Sequence, residues 1–361
     1  MTSAKRLRIA VAGGGLLGRL AAWRLALGGA DVSLFEAGEL QRPAGACWAA
    51  AGMISPLSEL VHSPMEIYHM GLQSLALWSG WIAELEQTTG TAVRYRRNGS
   101  IVVAHQRDSS QLDQFRQDLA AVLGDTAAAE LQPLDAEQIC GLEPDLQHFT
   151  RGIFLPNEAD IDNRHLLQLV LAELQRLGVH LEDKTPVECE PGAVLLRQGR
   201  ERRGFDLVVD CRGMGARELA RDLRGVRGEV LVVDTREVCF GRPVRLMHPR
   251  YKLYAVSKPD GTTVIGATEI ESEDLSPISL RSSMELCSAL YALNPAFAEA
   301  RILESNVNLR PAVPDNLPFV RAGEGLIQAN GLFRHGYLCG PALVCRLLEA
   351  VRETTESVVV Q

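Results

Sequence analysis

No two cysteines in this 361-residue chain form a C-x-x-C pair; the eight are scattered. That spacing argues against a zinc site or a redox dithiol. Several sit in apolar runs, where a free thiol behaves as a small hydrophobe, and such usage fits a reducing cytoplasm. An excess of basic charge is also missing. Lys and Arg number 37 against 45 Asp and Glu, a formal net charge of -8, so bulk charge gives a nucleic-acid surface no support. Two short basic runs exist, Arg94 to Arg97 and Arg197 to Arg203. The second lies between two strand-like runs and reads as a solvated hairpin turn. No stretch offers the ~20 uninterrupted apolar residues of a membrane span. The opening segment has basic residues before an apolar stretch, as a leader would, but Arg19 and Arg24 interrupt it and its glycines mark a turn. A soluble, cytoplasmic, untargeted protein is expected. Internal repeats and low-complexity tracts are absent.

What is present is ordinary in bulk, with 46% hydrophobic and 23% charged residues. The length suggests two domains, or one elaborated one. The first 36 residues are specific. Leu7 to Ala12 read as a strand, Leu20 to Leu27 have helical spacing, and Asp31 to Phe35 form a second strand. Between strand and helix, Gly13, Gly15 and Gly18 fill a G-x-G-x-x-G pattern. In a dinucleotide-binding βαβ unit the first glycine permits the turn, the second lets a pyrophosphate approach, and the third allows close packing of the helix. The helix N-terminus then offers N–H groups and a positive dipole end to phosphate. Glu36 ends the second strand, placed for ribose hydroxyls; an acid there speaks against a 2′-phosphate, hence against NADP, and does not separate NAD from FAD.

Shortly after comes CWAAAGMISP, Cys47 to Pro56. Its alanines suit a helix, but Gly52 and Pro56 interrupt one, and so many small side chains point to something large and flat lying against the backbone. Met65 to Glu86 read as a helix with Trp78 and Trp81 in the core. Gly99 to His105 read as a strand, Ser110 to Leu123 as a helix, and Asp135 with Gln138 as a capping box. A helix starts near Asn163 and ends at Gly178. The strand Leu207 to Cys211 runs into Gly213 and Gly215, as a second loop near a nucleotide would. From Gly228 to Glu304 the chain is strand-rich, an antiparallel sheet with a helix at Met284 to Leu293.

These pieces, with EADIDNRHLL, VIGATE, NLRPAVPDNLPFV and GLFRHGYLCGPAL in that order, resemble the D-amino-acid-oxidase-type flavoproteins, and within them the glycine-oxidase branch of bacterial thiamine biosynthesis. The resemblance covers nearly the whole chain, and its late arginine motifs are far more specific than the glycine turn. It implies an α/β plus α+β fold: a Rossmann-like FAD-binding domain of residues 1–88, 152–226 and 316–361, and a substrate domain on a mixed or antiparallel sheet, residues 89–151 and 227–315. It implies FAD, held non-covalently, since NVNLRPAVPD lacks the cysteine of relatives that attach flavin covalently. Position by position, it places Leu16 and Leu17 by the pyrophosphate, Glu36 and Ala37 at the ribose, and Val187 by the adenine. Ala46, Cys47, Ala51, Gly52 and Met53 fall on a loop along the flavin. Leu332, Phe333, Arg334, His335, Gly336, Tyr337 and Leu338 line the isoalloxazine. Arg310 binds the substrate carboxylate, Arg334 lies beside flavin and substrate, and Tyr254 covers the pocket. Two positions depart from the pattern: the family often has histidine at Leu332 and asparagine at His335.

The implied reaction is oxidative deamination of glycine or a similar small amine by hydride transfer to flavin N5, giving the 2-oxo acid, ammonia and H2O2 with O2 as oxidant. No catalytic side chain and no metal is required; a homotetramer is implied. A planar guanidinium suits the carboxylate because it makes two parallel charge-assisted hydrogen bonds. The alternatives are an FAD-dependent D-amino-acid, sarcosine or proline oxidase or dehydrogenase, an NAD-dependent dehydrogenase, or a non-catalytic FAD-binding subunit.

Overall fold

The computed structural model describes residues 6–197, 201–248 and 252–359. Strand β1 (Arg8–Ala12) is buried from Ile9 onward, apolar on both faces as the centre of a parallel sheet requires. It pairs in parallel with β2 (Asp31–Phe35) and β13 (Leu207–Asp210). β9 (His180–Glu182) extends the sheet past β2, β20 (Leu326–Asn330) past β13, and β19 (Phe319–Gly323) adds an antiparallel edge. Helices α1 (Leu16–Leu27), α4 (Met65–Thr89), α8 (Asn163–Arg176) and α10 (Gly336–Val359) pack together over one face. Trp78 is fully buried there, its indole N–H donating to Tyr337 O at 2.8 Å, and Trp81 packs partly buried against the same core. The other face is covered by a small antiparallel sheet of β10 (Val187–Glu190), β11 (Ala193–Leu196) and β12 (Glu201–Gly204).

The second large sheet has eight strands: β18 (Arg301–Ala312), β14 (Arg224–Asp234), β17 (Thr262–Gly266), β16 (Lys252–Ser257), β15 (Val244–Met247), β5 (Ser100–Val103), β7 (Arg151–Leu155) and β6 (Gln132–Asp135). All its pairings are antiparallel except β15 with β5, which makes it mixed. Helices α7 (Ala136–Leu142) and α9 (Leu280–Leu293) contribute to the apolar core on one face. Helices α3 (Pro56–Leu60) and α5 (Ser109–Leu123) pack by β5 and β7, with the short α6 (Ala127–Glu130) alongside. A three-stranded patch, β3 (Met53–Ile54), β8 (Ala159–Ile161) and β4 (Tyr95–Arg96), joins the two halves.

The capping box on α7 is present, with Asp135 accepting from Gln138 N and Gln138 accepting from Asp135 N, each at 2.9 Å. Helix α9 starts four residues before the expected Met284 because Ser279 caps it, accepting from Ser282 N. β14 begins at Arg224, ahead of the expected Gly228. The divisions expected between 151 and 152 and between 226 and 227 fall inside β7 and β14 of the large sheet. Of the second basic run, Arg202 and Arg203 lie in β12, paired with Glu190, Glu201 and Glu182, while 198–200 lie outside the described residues. Among the described residues no helix is long and apolar enough to cross a membrane, and no group of three His, Cys, Asp or Glu side chains could hold a metal ion.

Candidate active site

A cavity of about 960 Å³ opens between the two large sheets, at the upper end of the roughly 300–1,000 Å³ usual for ligand pockets. Gly13, Gly15 and Glu36 line it on the side of the parallel sheet; Tyr254, Arg310 and Arg334 line it on the other. The three fingerprint glycines act for three reasons. Gly13 has φ +100°, and a Cβ there would lie 2.6 Å from Cys211 O. A Cβ on Gly18 would lie 1.8 Å from Gly13 O. A Cβ on Gly15 would meet only Cys47 Sγ, at 3.7 Å, so this α-carbon is left bare to the cavity. Gly15 caps α1 without any side-chain hydrogen bond, leaving first-turn N–H groups open to an anion. The Glu36 carboxylate accepts from Gly14 N at 2.6 Å and Gly38 N at 2.8 Å, which fixes it beside the turn. Arg19, fully buried on α1, grips the same turn from behind: its Nε donates to Gly14 O at 2.6 Å and its other nitrogens to Leu167 O and Leu40 O.

The alanine-rich stretch forms one helical turn, α2 (Ala46–Ala49), then leaves it extended at Ala50 and passes through Ala51 and Gly52 into β3. Its carbonyls are tied back into the protein. Asn163 Nδ2 donates to Cys47 O and Trp48 O, each at 3.1 Å, and Tyr337 OH donates to Cys47 O at 2.9 Å. Lys258 Nζ donates to Ala51 O at 2.6 Å, and Ile161 N donates to Gly52 O at 2.9 Å. The N–H groups of Ala51 and Gly52 have no protein acceptor among the described residues, while both residues line the cavity. Gly52 is required: φ is +75°, and a Cβ would stand 2.1 Å from Ile161 O.

On the opposite side Arg310 projects from β18. Its Nη2 donates to Thr268 O at 3.0 Å, and its Nη1 is buried with no partner. Burial lowers the guanidinium's pKa, with Tyr254 and Glu269 opposing; its charge is thus incompletely compensated. Burial raises the Tyr254 phenol, with Arg310 opposing, so that phenol stays neutral. Two glycines make room for the pair. A Cβ on Gly228 would lie 2.5 Å from Arg310 Cζ, and one on Gly266 2.8 Å from Tyr254 OH. Arg334 is engaged already, through Nε to Glu59 Oε2 at 2.8 Å and Nη1 to Glu269 Oε2 at 2.7 Å. Burial acts to lower its pKa, but these two carboxylates hold it above its ordinary value. Glu59 also pairs with Arg245 at 3.0 Å and contacts His335 Nε2 at 3.3 Å. Burial would raise its carboxyl, but Arg334, His335 and Arg245 hold it well below the usual range. Phe333 N donates to Pro311 O at 2.8 Å, which sets the segment bearing Arg334 against the strand bearing Arg310.

Most of the residues expected at the site therefore share one cavity: Leu16, Leu17, Ala46, Cys47, Met53, Gly213 and 332–338 line it with those already described. Gly18, Ala37 and Val187 do not. Gly18 packs under the turn, Ala37 follows Glu36, and Val187 lies in β10, its carbonyl accepting from Arg212 Nη1 at 2.8 Å. Sequence reasoning missed Glu59, Arg245, Glu269, Gly228 and Gly266. Ser55-Pro56 is a helix-start signal that would have carried the reading on to Glu59, and glycine inside a strand marks a close approach.

The family profile described as FAD dependent oxidoreductase matches residues 8–349. This chain belongs to that family. The oxidoreductase is 39% identical over 339 residues to a putative thiamine biosynthesis oxidoreductase ThiO of Rhizobium etli, covering 93% of this chain and 94% of that protein. It is 28% identical over 370 residues to a glycine oxidase of Pseudomonas aeruginosa, covering 98% and 96%. In fold it is similar to the crystal structure of glycine oxidase from Geobacillus kaustophilus, with TM-score 0.81 and 24% identity over 96% and 95% of the two chains. Its cofactor is FAD, which settles the choice between FAD and NAD that Glu36 left open. The residues fit that group: the bare Gly15, the uncapped start of α1 and the acceptor-free N–H groups of Ala51 and Gly52 all border one cavity.

Proposed function

We propose that this flavoenzyme oxidises a small amino acid carrying one carboxylate, glycine foremost, in the reaction glycine + O2 + H2O → glyoxylate + NH3 + H2O2. FAD, held non-covalently, supplies the two-electron acceptor. The observation that carries the reading is Arg310 Nη1, buried and unpartnered on the wall of the cavity that also holds the FAD cradle. An arriving carboxylate relieves that unpaired donor, and each charge-assisted hydrogen bond is worth about 1.5–3 kcal/mol. Two other arginines of the cavity, Arg245 and Arg334, are ion-paired with Glu59 and Glu269, whereas Arg310 has no carboxylate partner among the described residues, which favours a substrate that brings one.

In this reading Arg310 fixes the orientation of the substrate, and Tyr254, kept neutral, donates or packs beside it. Leu16 and Leu17 present α1 to the pyrophosphate, Glu36 takes the ribose, and 51–53 with 332–338 flank the ring system. The side chains contribute positioning; no nucleophile or general base is called upon once the amine is deprotonated. The likeness to a thiamine-biosynthesis ThiO supports a supply of the imine or glyoxylate to that pathway.

Assaying H2O2 from glycine, sarcosine, D-alanine, D-proline and iminodiacetate, with glyoxylate and ammonia also measured for glycine, tests the reading. Equal amounts of glyoxylate, ammonia and H2O2 from glycine, with glycine or sarcosine the best substrate, are expected. A preference for the dicarboxylate iminodiacetate overturns the one-carboxylate assignment.

A further inference from the structure

We propose that Lys258 is a positioning residue for the cofactor, its buried ammonium group holding the Ala51–Met53 segment so that the Ala51 and Gly52 N–H groups face the cavity. The proposal rests on the reading that this segment lies along FAD. Lys258 follows β16, whose Tyr254 and Val256 share a face with it at two-residue spacing. On that face Val230, Val232, Val256 and Val264 pack against Ala51. At its end Lys258, 7% exposed, donates through Nζ to Ala51 O at 2.6 Å, Asn163 Oδ1 at 3.1 Å and Ile161 O at 3.3 Å.

Each acceptor is itself tied to the cofactor side. Asn163 holds the carbonyls of Cys47 and Trp48, and the Ile161 amide holds Gly52 O. The cation thus holds Ala51 O directly and bonds the two residues, Asn163 and Ile161, that hold the carbonyls of Cys47, Trp48 and Gly52. A flipped Ala51–Gly52 peptide would lose the 2.6 Å bond and turn a carbonyl into the cavity. Among the described residues no carboxylate lies within hydrogen-bond distance of Lys258 Nζ; Asp160, bonded to Arg96 through both oxygens, and Asp162 act on it only at range. Burial lowers the ammonium to about 8, with Asp160 and Asp162 opposing and Arg94 and Arg96 reinforcing, so it is charged at neutral pH. A side chain there only to fill space would be apolar, as its valine neighbours are. An ammonium surrounded by neutral oxygens instead costs desolvation, which its three hydrogen bonds offset.

The test compares Lys258→Met, Lys258→Gln and Gly52→Val with the parent. FAD affinity is read by fluorescence titration, the flavin by its visible absorption and circular dichroism, and substrate KM at saturating FAD. Lys258→Met is expected to weaken FAD at least about tenfold and alter the flavin spectrum, with Lys258→Gln, which keeps a donor, losing less. KM is expected to stay within about twofold, because Arg310 is untouched. If Lys258→Met does not fold, Lys258→Gln carries the test. If both lysine variants bind FAD within about twofold of the parent with an unchanged spectrum while Gly52→Val loses it, the role of Lys258 is overturned. If Gly52→Val also retains FAD, it is the placement of the segment along the cofactor that falls.

Discussion

Arg310 lies against Gly228 on the neighbouring strand, its Cζ 2.5 Å from where a Cβ would stand. β18 pairs Arg310 with Val226 and Asn308 with Gly228, so the guanidinium reaches diagonally across the sheet. The cation proposed to bind the substrate carboxylate thus owes its place to a missing side chain. Gly228→Ala should push Arg310 from its site, raising substrate KM by about tenfold or more while FAD binding is unchanged. Steady-state kinetics with FAD titration checks this.

Removing the cation itself is more severe. Arg310→Ala should raise KM by about a hundredfold or more, the loss of two charge-assisted hydrogen bonds, with the protein still yellow. Arg310→Lys should recover part of it, since an ammonium keeps the charge without the fork. Loss of FAD from Arg310→Ala would show that the residue serves the cofactor instead.

Glu59 balances Arg334 and Arg245 with little exposure, 16% of its side chain. Glu59→Gln leaves two cations against one carboxylate, and breaking such a buried network costs about 3 kcal/mol. Thermal unfolding of the holoenzyme should show a clear loss of Tm, larger than for Glu271→Gln, because Glu271 is itself exposed in its pair with Arg224.

Arg164 on α8 holds Glu304 on β18 in a bidentate pair, at 2.9 and 2.7 Å, across the two halves. The hydrogen bonds from Arg164 are the main cause that lowers Glu304 to about 2. A carboxylate depressed on folding contributes stability that is fully present above its ordinary pKa of about 4.3 and is lost as pH falls through the folded value. The Tm gap between the parent and Glu304→Gln should therefore be constant from pH 6 to 8 and shrink between about pH 4.5 and 2. A gap that does not change with pH would mean that the pair adds nothing electrostatic.

Much of this was legible in the sequence, because βαβ units and caps are local. Gly13 makes the turn and Gly18 the close packing expected of them, Gly15 stands bare to the cavity, and α7 carries its capping box at Asp135 and Gln138. The small-residue stretch was read as a surface for something flat, and it does present bare backbone to a cavity. What was not legible is what distant segments supply. Glu59, Glu269 and Arg245 are separated by up to 210 residues; Arg334 bridges the two glutamates, and Arg245 pairs directly with Glu59. Arg334 is expected beside flavin and substrate, and the structure adds two carboxylates paired with it that no spacing rule connects to it.

The most direct test of the central claim is anaerobic addition of glycine to the purified holoenzyme, followed in the flavin band near about 450 nm. The account predicts that the band bleaches, and that admitting O2 restores it with formation of H2O2. A band left unchanged by glycine, sarcosine and small D-amino acids, in a protein that binds FAD, would contradict it.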